Sequence, residues 1–427
     1  MQRHRAVPAR RAAAVAVGLA LLLAGCGRAA PERARSDQPA TPSAGDRRTS
    51  SDLLYTADQR RGTLQVVGRG GQLLRTLPAG VPSPDWRTLY VAGGGTNRTT
   101  VQAIDVASGR VLRSTTVAGR FRLPVVGIAG VPEGLSADGG TLVLANLADT
   151  PASRFAVLRT DFSRPAETIS LPGELEYDAV SPDGARLFLI EHLAGPDRSR
   201  YRVRMYDRGA GRLDPNVIVD KRDQWETSMA GYPNTRVTGP DGSWVYTLYR
   251  NADHGPFVHA LNAQDSYAFC IDLPRNGSTD QRAARLWTLA RGSGGGGLYA
   301  VNTALGLVSE IDEDQFTVLR TATFPPDRAA AGAAGPGGTA LLGDAGDVLL
   351  VGTSNGVLAI DTAALKVQRR ELAGWAVDGL VASADGRRAY ALSSARGQVV
   401  AIDPVSGRLL DQRAAPAASL LLHAAAG

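Results

Sequence analysis

Donors for cross-links and for metals are scarce in this chain: 2 Cys, 3 Met and 5 His in 427 residues. That excludes a disulfide scaffold and a zinc ribbon. No Cys-x-x-Cys-His run occurs, so covalent haem attachment of that kind is absent too. No Gly-x-Ser-x-Gly precedes a helical pattern, which removes the common serine-hydrolase elbow. The glycine run Gly294 to Gly297 lacks a following Lys-Ser/Thr and reads as a turn, not a phosphate loop. Lysine is nearly missing: Lys221 and Lys366 are the two present, the bias of a high-GC genome. Net charge is missing from most of the chain as well. Residues 51–427 hold 38 bases and 38 acids, and the excess of Arg lies before residue 50. A neutral body has no global field to draw in nucleic acid.

The Arg-rich start is followed by an apolar run, Ala12 to Leu23, of 12 residues. A spanning helix needs about 20. The length suits the apolar region of a secretory signal over residues 1–25. The run ends in Leu23-Ala24-Gly25-Cys26, which resembles the bacterial lipobox. The resemblance implies that Cys26 is lipidated, becomes the mature N-terminus and holds the chain at the extracytoplasmic face of the cell membrane. With Cys26 acylated, Cys270 has no intrachain partner for a disulfide; it sits in the strand-like run Tyr267 to Ile271 and reads as a buried thiol. Residues 26–51, rich in Pro, Ser, Ala and Arg, read as a disordered tether.

From Asp52 onward one phrase recurs. Its clearest copy is Gly379-Leu380-Val381-Ala382-Ser383-Ala384-Asp385-Gly386, then Arg388 to Leu392, Gln398 to Asp403, and Ser406-Gly407-Arg408-Leu409-Leu410. These are four short β runs with tight turns at Asp-Gly and Ser-Gly. Other copies centre on Asp85, Asp138-Gly139, Asp183-Gly184 and Asp241-Gly242, with weaker ones around Leu298 to Asp312 and Val348 to Asp361. Eight units are counted, spaced by roughly 40–58 residues, and no helical period of useful length appears after residue 30. The expectation is an all-β propeller of four-stranded blades over 52–427, with seven blades as the alternative count. The first unit lacks an inner strand, and Ala418 to His423 is expected to supply it and close the ring.

Leu89-Tyr90-Val91-Ala92 followed by Val101 to Leu112 resembles the YVTN-type repeat of bacterial propellers, and the unit at 378–410 is similar to it. The resemblance implies a fold; that fold hosts enzymes and binding scaffolds alike.

Strands alternate in direction within a blade. The short Asp-Gly and Ser-Gly turns therefore share one face, and the long irregular connections share the other, where a site is expected. Counting five back from the turn Asp gives Glu133, Asp178 and Arg236 in three consecutive units; seven back gives Glu176, Asn234 and Asp378. This polar set is the expected ligand-binding cluster. Glu133 and Asp178 are also the candidate ligands for Ca²⁺ or Mg²⁺, although no cofactor is required. Pro132-Glu133-Gly134 and Asn146 faintly resemble the divalent-metal gluconolactonase propellers, which implies a lactonase as the rival activity. Trp225, Tyr232, Arg250 and His254 lie on or beside long connections and are the expected partner-docking residues. His254 and His259 are five apart, which puts them on opposite faces of a strand and argues against a two-His metal site. No catalytic residue is assigned. The expected function is a lipid-anchored, non-catalytic envelope protein whose loop face binds a small polar ligand or a protein partner.

Overall fold

The computed structural model describes residues 51–427, except 129, 147–151, 196–197, 223–226, 252–254, 276–282, 284–285, 293–296, 328 and 330–339. They form eight antiparallel sheets arranged as an eight-bladed propeller. In blades 2 to 8 the strand nearest the axis begins the unit, and the fourth, with a largely exposed face, ends it.

Blade 1 closes the ring. Its strands Leu53–Asp58, Thr63–Val67 and Leu73–Pro78 are joined by Leu420–Ala425, which pairs antiparallel with Leu53–Asp58 as the innermost strand. The closing strand starts two residues later than the expected Ala418. The junction is stapled by Asp52: the Tyr390 hydroxyl of blade 8 donates to its carboxylate at 2.6 Å, and the buried Arg413 guanidinium donates to its backbone carbonyl. The first and last strands of the propeller thus share one sheet.

The period-2 alternation of each strand sends successive side chains to opposite neighbours. In Trp244–Arg250 of blade 5, Val245 and Tyr249 pack toward blade 4, while Tyr246 and Leu248 pack toward blade 6. Eight apolar clusters result, one at each interface between blades. Each fully buried Leu, Val or Phe contributes about 1.5–3 kcal/mol, so packing can hold the ring without cross-links.

The recurring Ser-x-Asp-Gly turn has a local cause. In the turns starting at Ser136, Ser181 and Ser383 the Ser hydroxyl donates to the Asp carboxylate two residues on. The same oxygen accepts the N–H five residues on. The fourth position is left-handed, as in Gly184 and Gly386, with φ near 71° and 65°. Blade 2 departs from this: Trp86 takes the left-handed position at φ 57°, a conformation costing about 1–2 kcal/mol. Its indole stacks on His423 of the closing strand at 4.5 Å and lies 5.0 Å from Tyr55, contacts that offset the strain.

Candidate functional site

Three adjacent inner strands are irregular at the same level. In blade 4, Tyr177 pairs with Leu189 and Ala179 with Phe188, so Asp178 is an extra residue, a β-bulge. In blade 5 the register shifts between Pro233 and Arg236, a second bulge at Asn234 and Thr235. In blade 3 the inner strand is interrupted. Phe121 and Arg122 pair with Asn146 and Ala145, and pairing resumes at Leu135 with Leu142. The intervening chain leaves as a hairpin in which Val125 bridges Pro132 and the Glu133 N–H donates to the Pro124 carbonyl. Its tip reaches blade 5, where the Ile128 N–H donates to the Asn234 carbonyl at 2.9 Å. Gly127 makes that approach possible: at φ 75° a Cβ would stand 2.4 Å from the same carbonyl oxygen. Bulges re-aim side chains where a strand borders a functional region.

They bring Glu133, Asp178 and Arg236 together. Arg236 Nη1 donates to the Glu133 carboxylate at 2.9 Å and to the Asp178 backbone carbonyl at 2.7 Å. Arg236 Nη2 donates to the Asp178 carboxylate at 2.6 Å and to the Thr247 hydroxyl at 3.1 Å. The side chains are 12% (Arg236), 3% (Asp178) and 25% (Glu133) exposed, so the node is largely withdrawn from water. Burial pushes the Glu133 carboxyl above its ordinary range despite the neighbouring guanidinium. Burial alone would depress Arg236, but Glu133 and Asp178 outweigh it and its pKa is raised. Beside the node lies a cavity of about 280 Å³, lined by Glu133, Tyr177, Arg236 and apolar residues of blades 2 to 5. One cation against two carboxylates leaves the node negative by one when all three are ionised.

The remaining expected residues separate from this node. Glu176 lies apart, with its carboxylate accepting from His192 Nε2 at 3.0 Å and Arg198 at 2.8 Å; the His192 contact lowers its pKa. Asp378 accepts the Ser394 N–H and hydroxyl in blade 8, with its pKa raised by burial. The Asn234 side chain donates to the Trp287 carbonyl of blade 6 at 3.0 Å, bracing the ring. Tyr232 and Arg250 do meet, as a cation over a ring at 5.6 Å, with Tyr232 exposed. Trp225 and His254 lie outside the described residues, as does Cys26.

The candidate calcium or magnesium pair fits poorly. The space between the Glu133 and Asp178 carboxylates is bridged by the Arg236 guanidinium, so a divalent ion there would have to displace a paired cation. The Asn146 side-chain oxygen accepts the Arg154 N–H. Among the described residues no group of three or more His, Cys, Asp or Glu side chains could hold a metal.

A second polar cluster was not legible as a site. His259, 1% exposed, faces Cys270 across the strand pair Phe257–Asn262 and Tyr267–Asp272, with Nδ1 3.8 Å from Sγ. Burial lowers the His259 pKa. Tyr249 meets it edge-on at 6.2 Å and stacks on Tyr201, and burial drives both phenols well above their usual range. Cys270, expected to be buried, is partly exposed.

No family model and no curated protein matches this chain. Solved structures do. A structure described as dihydro-heme d1 dehydrogenase NirN in complex with DHE is 15% identical, with a TM-score of 0.54, over 91% of this chain and 77% of that one. Apo AztD from Citrobacter koseri is 12% identical, with a TM-score of 0.53, over 88% and 97%. A eukaryotic initiation factor is 12% identical, with a TM-score of 0.51, over 93% and 92%. At such identities the likeness is one of fold: this chain is a β-propeller.

Proposed function

We propose that this protein is a lipid-anchored envelope propeller that binds a small polar ligand at the cavity beside Arg236, without catalysis. The observation that carries this reading is the node itself. Three consecutive inner strands depart from regular pairing at one level, and the departures gather Glu133, Asp178 and Arg236 beside a cavity. Two carboxylates against one guanidinium, with Glu133 partly exposed, favour a ligand with ammonium or hydroxyl donors. The guanidinium of Arg236 neutralises Asp178 and orients Glu133 rather than leaving a nucleophile and base side by side. The signal-like run and Cys26 supply the anchor.

The binding test is a thermal-shift screen of the purified protein with polyamines, amino sugars and polyols, followed by calorimetry on any compound that raises the melting temperature. A stabilising compound whose effect is lost in Glu133→Gln supports the reading. The reading fails if no member of these classes shifts the protein, or if a shift survives Glu133→Gln unchanged. Anchoring is tested separately by labelling cells with an alkynyl fatty acid: label must appear on the parent and vanish in Cys26→Ser.

A further inference from the structure

The chain's soft donors converge. Outside Met1 and Cys26 the sequence has two Met, Met205 and Met229, and one Cys, Cys270. All three pack in the interface between blades 4 and 5, with Met229 in its buried cluster and Met205 and Cys270 against it. His259 joins them from the strand beside Cys270. The Cys270 Sγ lies 3.8 Å from the Met229 Sδ and 3.8 Å from the His259 Nδ1. These donors come from three strands: Met229–Ala230, which pairs with Arg200–Asp207 of blade 4, and Phe257–Asn262 and Tyr267–Asp272 of blade 5.

We propose that Cys270, Met229 and His259 form a binding site for monovalent copper. With metal–sulfur and metal–nitrogen bonds of about 2.3 and 2.0 Å, a trigonal site needs about 4.0 Å between sulfurs and about 3.7 Å from sulfur to nitrogen. The separations of Cys270 Sγ from Met229 Sδ and from His259 Nδ1 are both 3.8 Å, close to these two values. Thiolate and thioether ligands select Cu(I), and imidazole suits copper as well. Charge points the same way. Binding releases the thiol proton to solvent, and one thiolate with Cu⁺ makes a neutral unit; a divalent ion would leave a positive charge in an interior that penalises it.

The surroundings hold the donors in place. The Cys270 N–H donates to the Asp220 carboxylate at 2.9 Å, and Arg222, paired with that carboxylate, donates to the Cys270 carbonyl. The backbone of an outer strand is thereby fixed by side chains of the preceding connection. Tyr201, Tyr249 and Phe257 form an aromatic wall in the same interface, and Cys270 is partly exposed. Met205 stands in the same cluster as a fourth soft donor.

The test uses the full chain in detergent, purified anaerobically and carrying Cys26→Ser so that the second thiol is removed. Cu(I) is delivered as its bicinchoninate complex, and transfer to the protein is read from the loss of that chromophore. One equivalent is expected, with an X-ray absorption first shell of two sulfurs and one nitrogen. Cys270→Ser is expected to abolish transfer. Met229→Leu, which conserves core volume, is expected to weaken it at least tenfold while circular dichroism shows the fold intact. The proposal is overturned if the protein takes no copper from the chelator, if Cys270→Ser binds like its parent, or if Met229→Leu leaves affinity and sulfur count unchanged.

Discussion

Replacing Arg236 with Met tests the ionic node on which the proposed site rests. The parent side chain makes two carboxylate contacts, at 2.9 and 2.6 Å, in a setting where Asp178 is 3% exposed. At about 4 Å between charge centres and an effective dielectric near 20, each pairing is worth about 4 kcal/mol. The full loss is not realised, because an orphaned carboxylate can take a proton instead. For an aspartate with a free pKa near 3.9, that costs about 4 kcal/mol at pH 7. The expected destabilisation of Arg236→Met is therefore about 3–5 kcal/mol at pH 7, the range for breaking a buried pair from one side. The pH dependence follows. Without the cation, the folded-state pKa of the carboxylates rises above the unfolded value, so the native variant holds protons that the unfolded chain has released. Its deficit relative to the parent should shrink by about 1.4 kcal/mol per pH unit, per proton, on acidification from pH 7 toward 5. Urea unfolding at both pH values measures this, and adding Asp178→Asn should restore most of the loss. A variant within about 1 kcal/mol of the parent at pH 7, or a deficit that grows on acidification, would refute the reasoning.

Glu133→Gln should be mild, within about 1 kcal/mol, because Arg236 keeps Asp178 and burial already disfavours the Glu133 charge. Since the folded pKa of Glu133 is raised, the parent should gain stability as pH falls through it, and Glu133→Gln should lack that gain in paired urea titrations. Gly127→Ala should push the blade 3 hairpin off Asn234, costing about 1–3 kcal/mol and accelerating amide exchange at Ile128, read by hydrogen-exchange mass spectrometry. Tyr390→Phe removes the donor to Asp52 and should lower stability by about 1–2 kcal/mol in urea. Deleting 420–427 should abolish cooperative unfolding, and a peptide of that sequence added in trans should restore it, because the deletion removes the inner strand of blade 1.

The architecture was legible because it is written locally. Each blade carries its own turn chemistry and its own alternation, so eight units could be counted and the missing strand assigned to the C-terminal end. The seven-blade alternative fell because the weak units at Leu298 to Asp312 and Val348 to Asp361 keep period-2 apolar faces and form full sheets. Counting back from the turn also aligned Glu133, Asp178 and Arg236, since all three sit the same number of residues from a turn. The same count failed for Glu176 and Asp378. Register along one strand places a residue at a height, but the partner that captures its side chain belongs to whichever neighbouring element reaches it, here His192 and Ser394.

By itself, then, the sequence determined the repeat, the closure and the height of the polar level, all consequences of short-range hydrogen bonding and alternating burial. The tertiary structure decided which of those polar groups meet. Two bulges and a hairpin excursion turned three aligned residues into one ion-paired node. Likewise Met229 is brought to the His259–Cys270 strand pair by the packing of blade 4 against blade 5, an interface that no single unit's sequence describes.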